Sequence, residues 1–286
     1  MSLDTSRIDY LLHRSAAREL SVAVVGLGSG GAAVLQNLAM CGLRRWSLFD
    51  PDVLDPSNLV KHPALRRDIG RPKVDIMTEW LRDRNPDTEV AAYPQDVFEA
   101  PDFDAVVTAS DLVICAVDNR AARSFVNERC VAVGTSCVTG SVMRTGVGGE
   151  VYAYVPGVTG CFACLERFCD LNHRNLDDLI PMTSEENTHR YGLNELDFAA
   201  SGLIMDISII ASLHAMLAVS VLLGGSSEYI DVPRFNWLLM GLRTLPGVFD
   251  AQYVPSRLLL GPRADCPLSC GSTTSSAPEL EYSAET

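Results

Sequence analysis

The chain has 286 residues, 47% hydrophobic and 21% charged, an ordinary globular balance that excludes a disordered or fibrous protein. Its 36 acidic residues outnumber the 23 basic ones, and the formal net charge is −13. That balance argues against a general nucleic-acid binder and against a protein that docks on anionic membranes, since both need a broad basic surface.

The N-terminal residues carry acids and no apolar run, so they do not read as a secretory signal. With nine cysteines, an odd number, in a well-cored chain, a disulfide framework is not expected and a cytoplasmic, reducing compartment is. Residues 8–19 predict a short helix, and Ser21–Val25 predicts a buried parallel strand that runs into Gly26-Leu-Gly-Ser-Gly-Gly31. A helix is expected over 32–41, stopped by Gly42, then a strand at Trp46–Phe49 ending on Asp50. Further on, the pattern predicts a helix at Val74–Arg84, a strand at Val90–Tyr93, a buried strand at Leu112–Val117, a helix at 120–130 and a strand at Val131–Cys137. Strands alternating with helices argue for a doubly wound, largely parallel sheet.

Beyond residue 150 the pattern changes. Val151–Val155 is strand-like, and 170–195 is polar without a period and reads as a long loop. Residues 203–223, LIMDISIIASLHAMLAVSVLL, could be mistaken for a membrane span. Asp206 and His214 interrupt them and no basic cluster flanks them, so a buried or interface helix is expected and no membrane. Short strands are expected within 229–260, and the Ser/Thr/Glu-rich end reads as a disordered tail.

Gly26, Gly28 and Gly31 fit G-x-G-x-x-G between a strand and a helix, where glycines permit a tight turn and the helix N-terminus favours a phosphate. Asp50, at the end of the next strand, could accept hydrogen bonds from a ribose. NAD and ATP both fit so far. Residues 61–73 then hold five cations, Lys61, Arg66, Arg67, Arg71 and Lys73, against one acid, Asp68. Such a cluster is commonly a solvated face. Here it follows the nucleotide acid, and a triphosphate whose bond must break needs cations on its oxygens. Asp118 ends an apolar strand at the sheet's carboxyl edge, where a carboxylate suits Mg²⁺, although it could equally cap the helix at 120–130.

The joint pattern Gly26-Leu-Gly-Ser-Gly-Gly31, Asp50-x-Asp52, Ser57-Asn58-Leu59-x-Lys61-His62, Gly70-x-x-Lys73 and Cys115-x-x-Asp118-Asn119-x-x-x-Arg123 resembles the ThiF/MoeB family of ubiquitin-activating-enzyme-like adenylyltransferases. The resemblance implies an α/β, Rossmann-like fold: a mixed, largely parallel sheet with helices on both faces and a C-terminal zinc-stapled sheet region. It implies a single adenylation domain over 1–286, with an N-terminal helix at 1–20, a nucleotide-binding half at 21–150, a substrate and zinc half at 151–271, a crossover loop at about 170–200 and a tail at 272–286. The implied reaction is ATP-dependent adenylation of the C-terminal carboxylate of a small ubiquitin-like or sulfur-carrier protein, or of a peptide, releasing pyrophosphate. ATP, Mg²⁺ and Zn²⁺ are the implied cofactors, and a homodimer without nucleic acid is the implied assembly.

By the same resemblance Gly26, Gly28, Gly30, Gly31 and Asp52 line the nucleotide and Asp50 holds the ribose. Asn58 and Lys61 contact phosphates, Lys73 stabilises departing pyrophosphate, and Asp118 serves Mg²⁺ and the reaction. Lys61, Lys73 and Asp118 are the implied catalytic residues, Arg123 braces the site, and Arg7 or Arg14 reaches into a partner subunit. Lys61 stands where the family usually has Arg, and His62 where many members have Gln. Cys161-x-x-Cys164 and Cys266-x-x-x-Cys270 are two close pairs whose four thiolates suit tetrahedral zinc, and the family carries a structural zinc in this order. Relatives that pass the acyl group to sulfur carry a cysteine just before the apolar helix, where this chain reads Phe198-Ala-Ala-Ser-Gly202. Cys169 is the free cysteine nearby and could be a nucleophile, a substitute zinc ligand or a bystander. Two competing readings are a non-catalytic partner subunit and an NAD-dependent oxidoreductase.

Overall fold

A computed structural model describes residues 3–12, 14–143, 146–172 and 202–271, the side chains of 14–16 excepted. Eight strands form one sheet in the order β3-β2-β1-β4-β5-β6-β7-β8. They are β1 (Ser21–Val25), β2 (Arg45–Phe49), β3 (Glu89–Tyr93), β4 (Leu112–Cys115), β5 (Ser136–Val142), β6 (Gly148–Tyr154), β7 (Trp237–Gly241) and β8 (Pro255–Leu258). The first five in sheet order pair in parallel, and β6, β7 and β8 are added antiparallel. The mixed, largely parallel architecture is the one expected.

Both faces of the parallel part are covered, which is why its strands read as unbroken apolar runs. Val22 and Val24 of β1 pack on one side with α2 (Ser29–Met40), α3 (Lys73–Arg84) and α7 (Ile204–Leu223). Ala23 and Val25 pack on the other with α4 (Phe103–Ala109), α5 (Arg120–Val133) and seven cysteines. Helix α1 (Arg14–Glu19) leads into β1, and α6 (Phe162–Leu171) follows β6. Strand β1 sits between β2 and β4, so the winding reverses between β1 and β4. In sheets of this kind the crevice at that reversal, outside the carboxyl ends of the strands, is where ligands bind.

Several boundaries differ from the expectation. Helix α2 begins at Ser29, inside the glycine run, rather than at 32. Helix α5 continues to Val133, because Val126, Cys130 and Val131 keep burying one face until Gly134 ends it at φ +74°. The strand expected from Val131 therefore starts at Ser136. Strand β4 stops at Cys115, two residues short of Val117, and α4 and α6 were not anticipated. The expected loop at 170–195 overlaps the end of α6, and its remainder from 173 lies outside the described residues, as does the tail at 272–286.

The apolar run at 203–223 is the one helix among the described residues long and apolar enough to cross a membrane. Its two polar interruptions face inward. His214 Nε2 lies 2.8 Å from the Val138 carbonyl of β5, and Asp206 accepts from Arg243 Nη2 at 2.9 Å. The helix is apolar on its inner side because Ile210, Ala211, Leu217 and Ala218 pack on the sheet. Its outer side leaves Met205 and Met216 exposed.

Candidate nucleotide site at the sheet reversal

The turn after β1 is shaped by two glycines. Gly26 has φ +88°, and a Cβ there would sit 2.8 Å from the Ala116 carbonyl oxygen beyond β4. A Cβ on Gly31 would overlap the Gly26 carbonyl oxygen. Any side chain at either position would push the turn off the strand end. Gly28 caps α2 with no side chain of its own, and a Cβ there would meet nothing within 4 Å. Gly30 is nearly as open, its nearest neighbour being Ile207 Cγ2 at 4.0 Å. The first amides of α2 are thus left without a side-chain cap at the crevice, the arrangement that receives anions.

Asp50 follows β2 and is buried beneath this turn. Its Oδ2 accepts from the Leu27 amide at 2.6 Å and its Oδ1 from the Asp52 amide at 2.9 Å. Burial pushes the Asp50 carboxyl up from the ordinary carboxylate range, against the pull of Lys73 and of these two amides. Lys73, the first residue of α3, brings Nζ 2.6 Å from Asp52 Oδ2 and 3.9 Å from Asp50 Oδ1. Asp50, Asp52 and Lys73 therefore form one charged group at the lip of the crevice.

Asn58 lies on a short 3-10 turn (Pro56–Val60), where Asn58 Oδ1 accepts from the Asp55 amide at 3.1 Å and Asp55 accepts from the Ser57 amide at 2.8 Å. This reciprocal cap fixes the segment that carries Asn58 and Lys61. The local excess of cations is smaller than it looked in sequence. Arg71 is engaged by Asp68 and Glu79, and Arg66 and Arg67 are exposed. Lys61 directly follows the capped turn, and Lys73 is the cation that meets the acids in space.

Asp118 is exposed beyond β4, two residues past Ala116, whose carbonyl meets the glycine turn. The capping role that could have claimed it belongs to Asn119, whose Oδ1 accepts from the Ala122 amide at 2.8 Å. Asp118 makes no hydrogen bond or ion pair among the described residues. Arg123 donates from Nε to the Val117 carbonyl at 3.1 Å and so braces the loop that presents Asp118. Arg7 is exposed, and the side chain of Arg14 is outside the described residues.

The four expected cysteines converge. Cys161, Cys164, Cys266 and Cys270 have their sulfurs within 4.8 Å of one another, with Cys161–Cys266 and Cys164–Cys270 at 3.6 Å and Cys161–Cys164 at 4.0 Å. A zinc–sulfur bond of about 2.3 Å gives a tetrahedron with edges of about 3.8 Å, so these spacings fit four thiolates around one ion. They are far too long for disulfides, and none of the nine cysteines is in one. Burial opposes the Cys266 thiolate, but backbone amides of Cys270 and Leu268 outweigh it and bring the thiol down to about 7. Burial pushes Cys161 up to about 11. Cys169 is not part of this group; it lies on α6 and packs with Tyr152, Phe162 and Trp237. Of the stretch at about 198–202 where the resemblance puts an acyl-accepting cysteine, residues 198–201 lie outside the described residues.

Sequence reasoning missed the role of His62. It is buried, with Nε2 2.9 Å from the Leu27 carbonyl oxygen and Nδ1 accepting from the Ala64 amide at 3.1 Å. Burial lowers its basicity. Nothing local signals this contact, because its partner lies 35 residues earlier in the chain.

A glycine turn, one buried and one exposed acid, a lysine and an outward aspartate at the reversal of a parallel sheet make up a candidate nucleotide site on a Rossmann-like fold. The chain belongs to the ThiF family, whose model matches residues 9–241. It is 30% identical over 159 residues to ubiquitin-like modifier-activating enzyme 5 of Oryza sativa subsp. japonica, covering 51% of this chain and 38% of that one. With the Drosophila ananassae protein of the same name it shares 26% over 243 residues, 80% of this chain and 58% of that one. The chain thus spans between about two-fifths and three-fifths of the length of these relatives. Among solved structures it is similar in fold to E. coli MccB, with TM-score 0.68 at 19% identity over 94% of this chain and 70% of that one. The ATP-bound form of MccB gives TM-score 0.64 at 17% identity, over 89% of this chain and 68% of that one.

Proposed function

We propose that this protein is an adenylyltransferase that activates a carboxylate with ATP. The observation that carries the reading is the meeting of the glycine turn and the Asp118 loop at the β1–β4 reversal, with Asp50 and Lys73 anchored beside them. Membership of the ThiF family, the modifier-activating relatives and the ATP-bound MccB neighbour support it. The nicotinamide reading gains no support from any of them.

In this reading the open first turn of α2, with Gly28, Gly30 and Gly31, takes phosphates, and Asp50 takes the ribose. Asn58 and Lys61 hold phosphate oxygens from their capped turn, and Lys73 moves from Asp52 to the departing pyrophosphate. Asp118, with Asp52 near Lys73, offers the hard oxygen ligands that Mg²⁺ prefers. The ion would neutralise phosphate charge when bound. A carboxylate oxygen of the substrate forms a bond to the α-phosphorus as the bond from that phosphorus to the bridging oxygen breaks. The electron pair leaves with pyrophosphate, and no proton moves. The chain's contribution is orientation and electrostatic stabilisation. The substrate class is the C-terminus of a ubiquitin-like or sulfur-carrier protein or of a peptide; relatives carry the first in their names, and MccB structures contain the peptide MccA.

The four-cysteine cluster is assigned to structural zinc that staples residues 266–270 to α6. The exposed outer side of α7, with Met205 and Met216, is assigned to a homodimer interface in the cytoplasm. Calorimetric titration of the protein with ATP·Mg²⁺ and separately with NADH tests the reading. Binding of ATP·Mg²⁺ alone, weakened at least about tenfold in Asp118→Ala, is expected; binding of NADH alone would overturn it.

A further inference from the structure

His62 is the side chain that ties the two phosphate-facing segments together. Leu27, inside the glycine turn, has both backbone polar groups held by side chains from the segment after β2: its amide by Asp50 at 2.6 Å and its carbonyl by His62 at 2.9 Å. The His62 amide in turn donates to the Asn58 carbonyl at 2.8 Å, and the Lys61 amide donates to the same oxygen at 3.0 Å. One short chain of bonds therefore runs from the turn through His62 into the capped segment that carries Asn58 and Lys61. We propose that His62 is a positioning residue for the nucleotide, setting the spacing between the glycine turn and the Asn58–Lys61 segment so that both reach the same polyphosphate. This inference rests on the ATP reading above.

The geometry also fixes which form of the imidazole does this. The Leu27 carbonyl can only accept, so Nε2 carries the hydrogen; the Ala64 amide can only donate, so Nδ1 must be bare. The partners admit only the neutral ring. A proton on Nδ1 would face the Ala64 N–H and break that bond. The charged groups around the ring are Lys73, which opposes the protonated form, and Asp68, which favours it; burial, the larger effect, also opposes it. Asp50 acts on the same residue, Leu27, from the other side.

The donor–acceptor pair that His62 presents is reproduced by a glutamine amide, whose NH2 can serve the Leu27 carbonyl and whose oxygen can accept from the Ala64 amide. Leucine keeps the bulk and loses both bonds. The test measures the dissociation constant of the non-hydrolysable analogue AMPCPP with Mg²⁺ by calorimetry, for the wild type, His62→Gln and His62→Leu, from pH 7.5 to pH 5. At pH 7.5 His62→Gln should bind within about threefold of the wild type, and His62→Leu at least about tenfold more weakly, the loss expected when a buried hydrogen-bond pair is removed. Because burial lowers this ring below the ordinary histidine value, the dissociation constant of the wild type should rise relative to that of His62→Gln, which has no ring to protonate, toward the acid end of the series. The nucleotide and Asp50 titrate in both proteins, so the ratio isolates His62.

Equal binding by His62→Leu and the wild type would overturn the proposal, as would His62→Gln binding at least about tenfold more weakly than the wild type at pH 7.5. Should His62→Leu fail to fold, the His62→Gln affinity at pH 7.5 still decides. A wild type that does not bind AMPCPP·Mg²⁺ at any pH would instead refute the ATP reading itself.

Discussion

Acidification should loosen this fold through His214 in a narrow and calculable window. The ring is fully enclosed between α7 and β5, its Nε2 against the Val138 carbonyl and its Nδ1 pressed on Gly140. Burial lowers its pKa to about 4, and the Val138 carbonyl only partly offsets this. In the unfolded chain the same ring titrates near about 6.5. The sign follows from proton counting: between these two values the unfolded state binds a proton that the folded state refuses, so stability is full above about pH 6.5 and falls as the pH drops toward 4. The loss works out to about 2 kcal/mol between pH 7 and pH 5 and about 3 kcal/mol by pH 4. Urea unfolding followed by tryptophan fluorescence, at several pH values on wild type and His214→Gln, measures it. The variant is expected to be less stable at pH 7 but to show a shallower acid slope, by about 2 kcal/mol at pH 5. Contributions shared by both chains cancel, including that of Asp50, whose raised carboxyl acts in the opposite sense. Acid slopes that agree within about 0.5 kcal/mol would refute the reasoning.

Two further outcomes follow from the geometry. Purified protein should carry one zinc per chain by elemental analysis, and chelation or Cys164→Ser should remove it and cost at least about 3 kcal/mol of stability, modest beside the 10–16 kcal/mol or so of the smallest zinc-dependent folds; full stability without metal would contradict the zinc assignment. Met216→Glu, on the exposed side of α7, should leave the monomer fold intact and shift sedimentation from dimer toward monomer, whereas an unchanged sedimentation coefficient would remove that face from the interface.

The parts of this molecule that sequence made legible are those carried by local pattern. The run Ser21–Val25 into a glycine turn, the acid closing β2, and the aspartate beyond β4 each sit where an apolar strand ends, so their place at the sheet edge followed from strand periodicity. The two cysteine pairs were visible because close spacing is itself the signal, and the sulfurs do meet. Other features were hidden for physical reasons. Helix α4 buries only Phe103 and Val107 across seven residues, too short to show a period. The β-branched residues at Val131 and Val133 suggested a strand, yet the helix continues through them until Gly134 supplies a left-handed stop. Charge counting overstated the basic segment, because Arg71 is spent on Asp68 and Glu79, one of them beyond the counted window. The contact of His62 with Leu27 is tertiary and had no local trace.

The central claim, carboxylate activation at the β1–β4 crevice, is tested most directly by following the fate of ATP. Peptides and Gly-Gly-ended ubiquitin-like proteins would be offered as carboxylate donors, and exchange of radiolabelled pyrophosphate into ATP would be measured with the nucleotide products identified. The account predicts donor-dependent exchange, with AMP and pyrophosphate as the products, and its loss in Asp118→Ala while that variant keeps its melting temperature. Cleavage of ATP to ADP and phosphate, or exchange that survives Asp118→Ala undiminished, would contradict it.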